Sequence, residues 1–214
     1  MNVQLTQSLK KRITKEWNEL FPYMGIYKNM WLMNICGPLA VGILLEVKSN
    51  RDRYTPILHI HNLCEEFPVI SLGISMESEA IKINDVKNTH LNAADELKTH
   101  TFIPLSGDVV LTELIEQLKK YFFKYTLDPC TILDYMIYLA VWSGQQKIYD
   151  DVLKFVNKKI KWHRWHMFRN KDVYKEWYNG LPKNIEFSEQ LRLIVQEQER
   201  KLKTLNLPHR KLII

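Results

Sequence analysis

Between Tyr27 and Ile83 the chain carries five short runs of β-type residues, and the connections between them are too short to hold a crossover helix. Parallel neighbours need a dozen residues or more to return, so these runs predict a mainly antiparallel sheet. They cover residues 27–36, 39–48, 57–63, 69–76 and 80–83. Gly37-Pro38 supplies one tight turn and residues 49–53 a polar one. The third run opens after Pro56, where a missing N–H is tolerated.

Helical spacing brackets this block. Ahead of it Leu5, Leu9, Ile13, Trp17 and Leu20 recur on one face, with Lys10, Lys11, Lys15 and Glu19 on the others, until Pro22 and Gly25. Residues 84–101 are polar, with a short helix predicted over 93–98. Beyond Ser106, read as a helix cap with Asp108 in the first turn, the stripe Leu111, Leu114, Ile115, Leu118, Phe122, Tyr125 begins. Residues 131–142 are apolar nearly all round and so predict a central helix. Further stripes are Ile148, Val152, Phe155, Val156, Ile160 and, toward Pro208, Phe187, Leu191, Ile194, Val195, Leu202, Leu205, with a short helix over 172–178 between them. Strands followed by helices define an α+β protein: four or five antiparallel strands after an N-terminal helix, then a helical C-terminal half packed on them. Residues 1–104 and 105–214 form one integrated domain in this reading, with the seam at 104–107. Trp31, Leu45, Ile60, Leu72, Leu118 and Ile137 are expected in the core.

Lys and Arg balance Asp and Glu over residues 1–104, so the net charge of +6 lies wholly in the second half. Residues 1–12 hold no apolar stretch of the signal-peptide or anchor kind, and the most apolar window is too short to cross a bilayer. With Cys36, Cys64 and Cys130 widely spaced, this predicts a cytoplasmic protein with reduced thiols and no membrane contact. Neither a glycine-rich phosphate loop, a nucleophile elbow nor a zinc-protease motif is present, and no cofactor is assigned.

Three patterns carry chemistry. In Gly42-Ile-Leu-Leu-Glu46-Val-Lys48, Glu46 and Lys48 share one face of a strand. The pattern resembles the third element of the PD-(D/E)xK nuclease core, which implies a carboxylate on Mg²⁺ and an ammonium that activates water. The family's Asp on the preceding strand is missing: no Asp stands before Asp52, Asn34 is the polar residue of that strand, and Glu16 or Glu19 could add one carboxylate.

His59 and His61 are likewise alternate residues of one strand. They are read as a pair on the sheet's solvated face, or at most as half of a metal site, since three or four ligands are needed; no metal is assigned.

The third pattern is basic and aromatic. Residues 147–175 hold nine Lys or Arg against three Asp, with Trp162 and Trp165 among them. Lys154, Lys158, Lys161, Arg164 and Arg169 could meet phosphates, giving weak nucleic-acid contact, while the Trp rings serve the core or a protein interface.

The Lys-, Ile- and Asn-rich composition is of the kind low-GC bacterial genomes encode. The function read from all this is a non-enzymatic accessory or protein-interaction protein, an immunity, phage-defence or regulatory subunit with a protein partner. The alternative is a nucleic-acid binder or a divergent metal-dependent nuclease.

Overall fold

Thr6 caps the first helix, its hydroxyl accepting the Leu9 amide, and α1 (Gln7–Leu20) follows. The computed structural model describes residues 5–48, 52–83, 89–124, 129–167 and 171–214. After α1 come six strands: β1 (Gly25–Lys28), β2 (Trp31–Cys36), β3 (Leu39–Val47), β4 (Arg53–Asn62), β5 (Ile74–Glu77) and β6 (Ile81–Lys82). Then α2 (Thr89–His100), β7 (Val109–Val110), α3 (Leu111–Lys124), α4 (Pro129–Ser143), α5 (Gln146–Met167), α6 (Lys171–Gly180) and α7 (Ser188–Lys201) follow, and the short strands β8 (His209–Arg210) and β9 (Leu212–Ile213) end the chain. The fold is α+β.

The main sheet runs β1-β2-β3-β4-β5, each neighbour antiparallel to the last. β6 extends the outer edge of β4 beyond β5, and β8 lies parallel to β2 beyond β1.

Several boundaries differ from the sequence reading, each for a local reason. The run 27–36 is a hairpin, because Met30 takes a left-handed backbone with φ 69° and its N–H is captured by the buried Thr14 hydroxyl at 2.7 Å. β4 starts at Arg53 and runs through Pro56, which sits where the outer neighbour changes from β6 to β5. Only the end of the run 69–76 is a strand; residues 63–73 are an irregular connection. Ser106 does not cap a helix, because β7 intervenes and pairs with β9. The last helix stops at Lys201, and the tail returns to the sheet, where the Pro208 carbonyl accepts the Ile35 amide at 2.9 Å.

Register sorts the two faces. Leu32, Asn34, Val41, Ile43, Leu45, Tyr54, Leu58 and Ile60 share the first, and α1 covers it through Trp17, whose indole donates to the Tyr54 hydroxyl. Trp31, Met33, Gly42, Glu46, Thr55, His59 and His61 share the second, covered by the 63–73 connection and α7. α4 is buried on nearly every side, as its composition requires. Leu45, Ile60, Leu118 and Ile137 are in the core, whereas Trp31 and Leu72 are half-buried. Among the described residues no helix is long and apolar enough to cross a membrane.

Candidate functional site

β4 is buried on both faces from Tyr54 to Asn62, so His59 and His61 do not lie on a solvated face as expected from sequence; both are completely buried. The reason is the second covering layer, which antiparallel sheets often lack. His59 Nε2 accepts the Trp31 indole N–H at 2.8 Å, which places the imidazole proton on Nδ1. His61 Nδ1 accepts the Ser71 amide N–H at 3.2 Å and lies 2.8 Å from the Ser71 hydroxyl, placing its proton on Nε2. The two remaining nitrogens, His59 Nδ1 and His61 Nε2, are buried without a hydrogen-bond partner. Burial, joined by repulsion from His61, pushes His59 down to about 3, and burial pushes His61 down to about 4, so both rings are neutral at pH 7. Among the described residues no three His, Cys, Asp or Glu side chains gather as a metal ion would need.

Glu46 and Lys48 point together and pair with each other at 2.8 Å, both about 40–45 % exposed. That bond raises the Lys48 pKa, burial opposes it, and Glu77, farther along the same face, adds to the rise. Asn34 is on the opposite face of the sheet, and so is α1 with Glu16 and Glu19. The residues that sequence alone would bring to Glu46 are therefore kept from it by the sheet itself.

In the basic segment, Lys154 and Lys158 are exposed on α5. Lys161 and Arg164 belong to that helix, but their side chains, those of Trp162 and Trp165, and all of Arg169 lie outside the described residues. Lys159 is buried over the Phe122 and Phe155 rings, and burial lowers its pKa.

One feature escaped the sequence. A groove with a cavity of about 370 Å³ opens between the end of α6, the first two turns of α7 and the start of the 63–73 connection. Leu181, Pro182, Phe187, Leu191 and Ile194 form its apolar walls, Cys64 and Tyr138 its floor, and Asn179, Lys183 and Gln190 its polar rim. Gly180 and Pro182 stop α6, and the turn at Ile185–Phe187, capped by Asn184, redirects the chain into α7. Burial raises the Cys64 thiol far above its usual range. It does the same to the Tyr138 hydroxyl, helped by Glu65, Asp134 and Cys64. Both groups stay protonated at neutral pH and can serve the groove as neutral hydrogen-bond donors, not as nucleophiles. The available signal was the width of the last helix's apolar stripe: Leu191 and Val195 suffice for the core, while Phe187 remains 43 % exposed and Ile194 half-buried.

Comparison with protein-family models, curated proteins and solved structures returns no match to this chain.

Proposed function

We propose that the chain is a non-enzymatic protein-interaction module, an accessory or regulatory subunit that takes an apolar segment of a partner protein into the groove between α6 and α7. The observation that supports this is the groove: a concave apolar surface of ligand-pocket size, edged by a few polar side chains and leaving Phe187 exposed. Such a surface removes a partner's apolar side chains from water, while Gln190 and Asn179 meet its main chain. Among the described residues Lys183 reaches Asn179, at 3.4 Å, and the Tyr178 ring, and no carboxylate, so its charge favours a segment with a carboxylate beside its apolar anchor.

The test places a photo-crosslinking amino acid at Gln190 and maps the attached peptide of the partner. Phe187→Asp and Ile194→Asp are expected to weaken that partner about thirtyfold each, the size of a typical hot-spot loss of ~2 kcal/mol. Both sites are partly exposed, so the thermal midpoint should move little. A partner that binds the Asp variants as well as the parent, or crosslinks elsewhere, would contradict the proposal.

The α5 surface supports a second reading. Lys154 and Lys158 are exposed one turn apart, and neither has an ion-pair partner among the described residues. We expect weak, non-specific nucleic-acid binding at low salt that disappears by physiological ionic strength, because it rests on counterion release. Replacing both lysines by Ala should reduce the slope of log affinity against log salt by about 1.5, measured by fluorescence anisotropy on single-stranded DNA. An unchanged slope would exclude them from phosphate contact.

A further inference from the structure

The 63–73 connection crosses the second face of the sheet without regular structure and is tied down at a handful of points. At its far end the Ser71 amide donates to His61 Nδ1, and the Phe67 ring packs edge-on against the same imidazole at 5.8 Å. At its middle the Phe67 amide donates to Gln198 of α7. On the other flank, His59 Nε2 accepts the indole N–H of half-buried Trp31, whose ring stands 5.5 Å from the imidazole. Both fastenings use the lone pair that a proton would occupy.

Charging either ring therefore breaks its own fastening. Protonated His59 would set an N–H against the Trp31 indole donor, while its other N–H, on Nδ1, already has no acceptor. In protonated His61 the Ser71 hydroxyl could turn to accept from Nδ1, but the Ser71 amide would then face a donor, and Nε2–H has no acceptor. The surroundings offer no relief. Lys28 stands over the outer side of the Trp31 ring, Glu66 faces Lys201 of α7 at 3.9 Å, and Glu65 is bonded to Asn62. Ser75 is the β5 residue opposite His59, and Ala40 and Gly42 are the β3 residues opposite the pair. Among the described residues no carboxylate contributes to holding a proton on either ring. β4, by contrast, is laddered to β3 along its whole length. The irregular cover is what can yield.

We propose that His59 and His61 form an acid-operated latch: proton uptake by the two rings frees Trp31 and the 63–73 connection from the second face, while the β2-β3-β4 ladder stays formed. The sign follows from linkage. Released rings return to an ordinary histidine value of about 6.5 and bind protons that the covered rings refuse. The closed state is therefore fully favoured above about pH 6.5 and loses ground as pH falls below it. The latch does not depend on what the groove binds, because its fastenings are internal.

Hydrogen exchange followed by NMR, corrected for the intrinsic rate at each pH, tests this. Between pH 7.5 and pH 5 the Trp31 indole N–H and the Ser71 amide are expected to lose protection about thirtyfold, the factor that one newly titrating imidazole gives over that interval. The Val41 and Ile57 amides, bonded to β2 and β3 within the central ladder, should keep theirs. In the double variant His59→Gln, His61→Asn, the amide oxygens accept the same two hydrogen bonds without titrating, and protection at Trp31 and Ser71 should stay flat. Three results would overturn the latch: unchanged protection in the parent, an equal loss in the double variant, or a loss at Val41 and Ile57 in step with Ser71. Should the double variant fail to fold, the comparison within the parent protein still decides.

Discussion

Replacing Trp17 by Ala is expected to lower the unfolding free energy by about 3–5 kcal/mol, as large-to-small changes at fully buried aromatic sites do. Trp17 is wholly inaccessible to solvent, its ring stacks on Phe21 at 5.9 Å, and its indole N–H donates to the Tyr54 hydroxyl at 3.1 Å. It is the side chain that pins α1 to the first face of the sheet. A helix of 14 residues is marginal alone in water, so α1 depends on that face for its stability. The loss would also spread to the first hairpin. Thr14, one turn before Trp17, holds the Met30 N–H in the left-handed turn between β1 and β2. Non-glycine residues in that conformation cost about 1–2 kcal/mol and need such support. Trp17→Phe keeps most of the apolar contact but removes the indole donor, and should cost about 1–2 kcal/mol. Guanidinium unfolding at pH 7, followed by far-ultraviolet circular dichroism, measures both. A cost below 1 kcal/mol for Trp17→Ala would show that α1 is held elsewhere.

Periodicity made the helices legible and strand order made the α+β class legible, because both depend on residue spacing along the chain. Trp17, Ile13 and the apolar circumference of α4 needed no tertiary knowledge to be placed inside. What failed depended on a second element arriving from far away. Asn29-Met30 is a weak turn signal, and it becomes a hairpin because Thr14 is there to take the Met30 amide. His59 and His61 alternate as residues of a half-wet strand would, but residues 63–73 and α7 cover them, and neither segment looks like a sheet cover from sequence. The C-terminal tail offers a run of three β-type residues, Leu212, Ile213 and Ile214, too short to read as a strand, yet the tail pairs with both β2 and β7. The groove is the clearest example. Phe187, Leu191 and Ile194 read as one core stripe, yet in the fold they line a groove with residues 179–183 at the end of α6 and just beyond it.

Gly73→Ala is expected to cost about 3 kcal/mol, although Gly73 is itself exposed and would pass as a neutral surface position. Its backbone is not left-handed, so the cause is space. A Cβ at residue 73 would overlap the Tyr135 hydroxyl oxygen and lie 2.5 Å from the Ile60 carbonyl oxygen. That hydroxyl is the joint between α4 and the sheet: it donates to the Ile60 carbonyl at 2.8 Å and accepts the Asn62 amide at 3.0 Å. The methyl must therefore displace either the tyrosine or the strand. Overpacking of this kind costs about 1–3 kcal/mol, and a buried amide stripped of its acceptor adds about 1–3 kcal/mol. Tyr135→Phe, which removes only the oxygen, should by itself cost about 1–3 kcal/mol by leaving the Asn62 amide unpaired. In the double variant the worst overlap disappears, though the ring carbon at 2.9 Å and the Ile60 carbonyl remain close. Its cost should fall short of the sum of the single costs by about 1–2 kcal/mol, as coupled neighbours in contact do. Urea unfolding of the four proteins gives the cycle directly. Additive costs would mean that Gly73 and Tyr135 do not compete for the same space, and the tight approach of α4 to the end of β4 would have to be held by other residues.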